Sequence, residues 1–319
     1  MSTDSPAAGR WQGIAYGIGM VVLFGLYMPA AKAWLQDVPP LWTSAVLYGS
    51  AGVTLALVQS ARRLAGWQSA EHGPLRREDL PTLLLGALCG CTASPLLLLG
   101  LGHVSGTVGA LLGNLEGVFT LLIAVLLGET LNRREVTGAA FILAGGVALS
   151  FNSQGGGATE WIGIVAIAAS CLAWAVDNMT TLRLSGRDPL SLMASKGFVA
   201  GTLSACAALG AGQAPPQAAS LVAAAAIGAG CWAASMVCFA MAMRHLGAAR
   251  VGSMLALAPF VGALGSIVGL GERPTAAILV AGVLMAVGAY WLAVGHLAHS
   301  APQSASDKVT SSGKKPISA

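Results

Sequence analysis

Three charged side chains stand where water should not reach them. Glu116 is the one charged residue between Val104 and Gly128, and Asp177 is the one between Trp161 and Leu182. Lys196 interrupts the apolar run Leu190–Leu209. A charge held at the centre of a bilayer costs at least about 2.5 kcal/mol, so such a group is paired, protonated or turned towards water. A carboxylate in that position can bind a proton or a solute. Its structural alternative is a neutral Glu116 hydrogen-bonded to backbone made accessible by glycines. An Asp177–Lys196 pair can hold a zwitterion or gate one side. Its alternatives are a structural pair, or a Lys196 that snorkels to the headgroups along its stem.

The faces on which these groups lie are informative. At 100° per residue, Gly109, Gly113 and Thr120 share the face of Glu116, with Gly117 about 100° away. The small-residue ridge Gly109, Gly113, Gly117 allows close helix approach and turns Glu116 to the bundle rather than to lipid. The face of Asp177 carries Ala166, Ser170, Ala173, Trp174 and Thr181, a lining suited to a wet cavity. Lys196 is expected at the same depth, about 6 Å from the midplane by helical rise. Trp174 and Trp232 lie deep enough to line a cavity. Asn114 and Asn178 each need a partner that spacing does not assign. Tyr27 stands two residues before Pro29. Pro29, Pro95 and Pro259 each remove a backbone donor and are candidate bending points.

Long apolar helices must position these groups. Hydrophobic residues make up 55% of the chain and charged residues 9%. Apolar runs of about 18 residues or more span the roughly 30 Å hydrocarbon core. The expected spans are Trp11–Trp34, Leu41–Ala61, Leu80–Gly102, Ser105–Leu127, Val136–Phe151, Trp161–Leu182, Leu190–Leu209, Leu221–Met243, Val251–Leu270 and Thr275–His296. The fold class is therefore all-α integral membrane. No apolar/polar alternation supports a barrel. Trp34, Trp42 and Trp161 read as interface anchors.

Positive charge gives the expected orientation. With the N-terminus inside, every Lys and Arg except Lys32, Lys196 and Arg273 falls on the inner side. Both termini are then cytoplasmic in the plasma (inner) membrane, and Gly155–Gly157 is outside. The net charge of +4 follows from this topology, with no basic patch suited to nucleic acid. The first apolar segment is long enough to span and lacks a basic leader, so no cleaved signal is expected. Residues 298–319 read as a disordered cytoplasmic tail and 1–10 as a short N-terminal one. The six cysteines fall inside spans, as packing residues; Cys89 and Cys91 leave a soft-metal path open, but no zinc spacing appears. No G-x-S-x-G, H-E-x-x-H or phosphate-loop motif suggests an enzyme, and no cofactor is implied.

The halves resemble each other. Trp11, Gly13 and Ile14 match Trp161, Gly163 and Ile164, and Pro39 matches Pro189. Leu127-Gly128-Glu129 matches Leu270-Gly271-Glu272, His103 lies near the mate of His245, and Tyr27 is the mate of Asp177. Five spans per half is odd, so the second half must insert upside down. Inverted repeats mark secondary transporters. The chain resembles the drug/metabolite transporter superfamily, and within it the EamA-type ten-helix members, over residues 11–297. The most specific stretch is Ala258-Pro259-Phe260 followed by Glu272. The family usually has a Pro thirteen residues before the closing Glu, and Glu116 replaces it before Glu129.

The resemblance implies two repeats, 11–151 and 160–297, and alternating-access movement of a small solute across the plasma membrane. Members carry amino acids, purines, drugs or nucleotide sugars. An amino-acid-like or drug-like solute, most simply exported, is the expectation, with a proton as the coupling candidate and a homodimer left open. The reading from another class is a non-transporting membrane scaffold or assembly subunit.

Overall fold

The computed structural model describes residues 6–35, 38–66, 73–151, 158–246 and 248–299. The expected glycine turn 155–157 and the tail from Ser300 lie outside these residues. The described residues are almost entirely helical, with one isolated bridge, Gly73 to Arg187. The reason is solvent. In hydrocarbon a backbone amide can only bond within its own segment, and a helix does this for every residue.

The chain begins with α1 (Pro6–Trp34) and α2 (Pro40–Leu64), joined at a turn that Pro39 and Pro40 enforce. A short 3₁₀ turn leads into α3 (Leu80–Leu101). The expected fourth span is two helices, α4 (Gly106–Leu112) and α5 (Leu115–Leu126); α6 (Arg133–Phe151) closes the first half. Next come α7 (Ala158–Arg183), α8 (Pro189–Gly210) and α9 (Ala218–Ile227). A π-helical segment, Gly228–Ala233, joins α9 to α10 (Ala234–Leu246). The expected ninth span is also two helices, α11 (Ala248–Leu255) and α12 (Ala258–Gly269), before the final α13 (Ala276–His299).

Eight helical stretches among the described residues are long and apolar enough to cross a membrane, and Ala258–Gly269 is a shorter apolar helix. The sequence expects ten spans. The α6 helix, with Arg133, Arg134 and Glu135 in its first turn, falls outside the eight. Large apolar side chains such as Leu57, Val165, Val222 and Val283 stay exposed, as a lipid-facing surface requires. Trp34 and Trp161 are exposed near helix ends, while the Trp42 indole donates to the Gln213 carbonyl at 3.1 Å.

Helices pair tightly across the two halves of the chain: α2 with α8, α6 with α13, α3 with α7, and α1 with α10. Glycine makes these approaches close. A Cβ built on Gly197 would lie 2.9 Å from the Gly52 Cα and from the Tyr48 carbonyl oxygen. A Cβ on Gly138 would lie 2.7 Å from the Gly288 carbonyl, and one on Gly288 would lie 2.7 Å from the Gly138 carbonyl. Backbone cannot yield as a flexible side chain does. Dispersion at short range is the main attraction left to helices in lipid, so small residues at crossings stabilise the bundle.

On the side where α1 begins, the loops are pinned. Arg187 chelates Asp79 through Nε at 2.7 Å and Nη2 at 3.0 Å, and reaches Glu78 at 3.2 Å. The amide of Gly73 donates to the Gly186 carbonyl, and that of Asp188 donates to Gly73. The start of α3 is thereby tied to the α7–α8 turn. Replacing Gly197 by Val should push α2 from α8 and lower stability in detergent by about 1–3 kcal/mol, as overpacking does elsewhere. Gly49→Ala, whose Cβ would meet nothing within 4 Å, should leave the thermal midpoint nearly unchanged. Equal midpoints for the two variants would contradict the packing account.

Candidate functional site

The break between α4 and α5 sets the site. Gly113 and Asn114 remain in the right-handed helical region, but the ladder tightens to i→i−3 bonds. The amide of Asn114 donates to Leu111 and that of Glu116 to Gly113, both at 3.1 Å. The Asn114 side-chain amide donates to the Leu111 carbonyl at 2.9 Å, satisfying an acceptor inside the bundle. Glu116 thus lies in the first turn of a new helix, not in the middle of a long one. The backbone amides at this start are bonded back to Leu111 and Gly113, so the break changes the direction of the Glu116 side chain without leaving donors free. Pro259 holds the corresponding place in α12, again in the first turn. Proline is accepted there because its missing N–H would have no partner anyway. The two residue types that replace each other in the sequence pattern are two solutions to one helix start.

The motif that ends each broken span has a local cause too. Gly128 ends α5 with a φ of 97°, and Gly271 follows α12 with a φ of 67°. The amides of Gly128 and Glu129 return to the carbonyls of Val125 and Ala124, a Schellman closure that needs a left-handed residue.

Glu116 opens into a cavity of 580 Å³. Its walls include Phe24, Tyr27 and Met28 of α1, Gly113, Asn114, Gly117 and Thr120 of the broken span, and Trp174 and Asn178 of α7. Trp232 of the π segment, Pro259, and Leu292 and Ala293 of α13 complete it. The Asn178 side-chain amide donates to Glu116 Oε1 at 2.6 Å. Trp174 lies one turn from Asn178 on the same face of α7. Its lining includes Leu182 and Ala293, near the C-terminal ends of α7 and α13, on the side where α1 begins.

Asp177 and Lys196 meet, but outside that lining. The ammonium of Lys196 contacts Asp177 Oδ1 and donates to Thr181 Oγ1 at 2.7 Å. Its residue is only 4% exposed, so it does not snorkel. Gly86 of α3 makes room for the pair: a Cβ there would come within 2.6 Å of Asp177 Oδ1. Thr180 and Thr181 donate to the Asp177 carbonyl at 2.7 and 3.0 Å. The pair therefore ties α7 to α8 under α3.

On the opposite side the turns are joined by hydrogen bonds. Glu272 accepts from the amides of Gly106 at 2.6 Å and Thr107 at 2.8 Å, and from the Thr107 hydroxyl at 2.7 Å. A carboxylate at a helix start gains both hydrogen bonds and dipole attraction. Lys32 of α1 donates to the carbonyls of Leu101 and Val104 at 2.7 and 2.6 Å, at the end of α3. The two contacts join α1 and the α12–α13 turn to the α3–α4 turn.

The EamA-like transporter family matches residues 11–151 and again 161–294. The chain belongs to this family. It is a multi-pass membrane protein of a transport family. A protein described as an uncharacterized transporter from Methanothermobacter thermautotrophicus is 24% identical over 294 residues, 86% of this chain and 84% of the relative. A solved structure described only as "Crystal structure of protein" aligns at a TM-score of 0.63 and 20% identity. It covers 89% of this chain and 98% of its own, a likeness of fold.

Among the residues expected from sequence, this EamA-like chain brings Glu116, Trp174 and Tyr27 into one cavity and keeps Asp177 and Lys196 apart from it. Pro29 and Pro95 stand inside uninterrupted helices, whereas Pro259 starts one. Sequence reasoning missed Tyr48. It is buried, accepts from the Trp174 indole N–H at 3.3 Å, and meets the Trp232 ring edge-on at 4.8 Å. It also missed Glu272 as a cap, although the repeated Leu-Gly-Glu was visible.

Truncating either member of the buried pair should cost about 3–5 kcal/mol, since the partner charge is left without compensation. Asp177→Asn with Lys196→Met should lose less than the sum, leaving a coupling above about 0.5 kcal/mol in a double-mutant cycle. Additive losses in detergent melts would contradict the contact.

Proposed function

We propose that this protein is a secondary transporter that moves a small organic solute through the Glu116 cavity by alternating access. The observation that carries the reading is a cavity lined from Glu116 to Leu182 and Ala293, with Glu272 and Lys32 bonded across the α3–α4 turn on the opposite side. Glu116 is the residue that binds solute or proton. Trp174 and Tyr27 line the route, and the Asp177–Lys196 pair holds the α7–α8 corner of the scaffold. The broken spans at Asn114 and Leu257 let half-helices tilt without exposing backbone to lipid, because local bonds stay made.

The ten-span inverted repeat is part of the proposal. Exchanging the halves turns α1 with α10 into α7 with α3, and α1 with α12 into α7 with α5, while α2–α8 and α6–α13 map onto themselves. Gly13 packs against His245 and Leu246, and Gly163 packs against His103 and Val104. The two family matches, one per half, support the same symmetry. Quasi-equivalent halves have two arrangements of similar energy, which alternating access requires. With both termini cytoplasmic in the plasma membrane, the cavity faces the cytoplasm, which suits export.

Reconstituted Glu116→Gln should fold as wild type yet lose most solute flux or its pH dependence, since the amide is nearly isosteric and carries no charge. Wild-type flux with an unchanged pH profile would overturn the assignment. No solute-dependent flux from any tested class would favour the scaffold reading. Alkaline phosphatase fused after Ser300 should stay in the cytoplasm and be inactive, and phosphatase activity in the periplasm would invert the proposed topology.

A further inference from the structure

The chemistry of the cavity wall names a class of solute. This inference rests on the transport reading above. Among the described residues that line the cavity, Glu116 is the sole carboxylate, and no Lys, Arg or His is present. The buried ammonium of Lys196 is held by Asp177 and Thr181 and is not part of the lining. Among these lining residues a solute carboxylate or phosphate finds no cation to receive it, and it faces a like charge. Burying an anion without a partner is among the costliest events in a low-dielectric site.

The rest of the wall suits the opposite charge. Trp174 and Trp232 present indole rings to the same cavity, with Tyr27 and Phe24 on the facing helix. Aromatic faces carry negative quadrupole density and attract ammonium groups, most strongly at tryptophan. Tyr48 holds both indoles from behind. Its hydroxyl accepts from the N–H of Trp174, so that donor is turned out of the cavity, and its ring meets Trp232 edge-on. Only one hydrogen bond to the Glu116 carboxylate, from Asn178, is present among the described residues. Its second oxygen accepts no hydrogen bond from the described residues. We infer that the cavity takes an organic monocation, an amine or quaternary ammonium with an aromatic or branched apolar body, in preference to an amino-acid zwitterion or an anion. The 580 Å³ volume accommodates a body of drug size. Glu116 is the charge partner, Trp174 and Trp232 are the apolar walls, and Tyr48 is a positioning residue.

The test uses the purified full-length chain in detergent and in proteoliposomes, with four probes of similar body: benzyltrimethylammonium, benzyl alcohol, phenylalanine and phenylacetate. Quaternary nitrogen cannot donate a hydrogen bond, so it isolates charge and ring contact. Benzyltrimethylammonium should bind at least about tenfold more tightly than each other probe, by calorimetry or tryptophan quenching. It should also be the probe that crosses the membrane. Glu116→Gln should weaken it by about tenfold or more, and Tyr48→Phe, which frees the Trp174 donor, should weaken it less. Preference for phenylalanine or phenylacetate, or cation binding unchanged in Glu116→Gln, overturns the inference. The wild-type comparison decides even if the variant does not fold. Failure of both benzyltrimethylammonium and the larger naphthylmethyltrimethylammonium to bind also overturns it. Glu116-dependent flux of phenylalanine or phenylacetate would reject the cation while keeping transport. Absence of flux for every probe would reject transport itself.

Discussion

The bilayer core holds no water to receive a stray hydrogen bond or charge, and the rest of this structure depends on that constraint. It makes every long element a helix. It requires that a broken helix still bond its own backbone, as Asn114 does by donating to Leu111. It binds Lys196 to Asp177 and Thr181 rather than leaving either charge alone. It leaves Glu116, with a single amide partner among the described residues, on the wall of a 580 Å³ cavity.

A second consequence concerns where polar groups are spent. Several charged side chains bond at helix ends, where backbone groups are unpaired. Glu272 closes the start of α4, Lys32 closes the end of α3, and Arg187 binds Asp79 at the start of that helix. These ends define two sides of the bundle. The cavity reaches one of them and stops short of the other, as a site that opens to one side at a time would.

Much of this was legible in the sequence. Hydropathy and length gave the helices, and the isolated charges pointed to Glu116, Asp177 and Lys196, because each is conspicuous in an apolar run. The breaks at Asn114 and Leu257 were not legible. They retain helical dihedrals and tighten by one residue, which changes no hydropathy signal. Pro29 and Pro95 lie inside continuous helices, whereas Pro259 starts one. The π segment and Tyr48 were hidden because a π turn has no composition of its own, and a buried Tyr on an apolar face looks like core. The partnership of Asn178 with Glu116 needed the crossing of α5 and α7, which periodicity within one helix cannot supply.

The central claim is a single cavity that communicates with the termini side while the Glu272 cap holds the other side closed. Thr120, half-buried in the cavity wall, reports on it directly. A cysteine at position 120, in a background with the six native cysteines replaced, should react with a membrane-impermeant maleimide only from the side that carries the C-terminus. Adding Glu272→Gln, which weakens the cap, should open reactivity from the other side. Labelling of the Thr120→Cys protein from the opposite side with the cap intact, or equal labelling from both, would contradict the account.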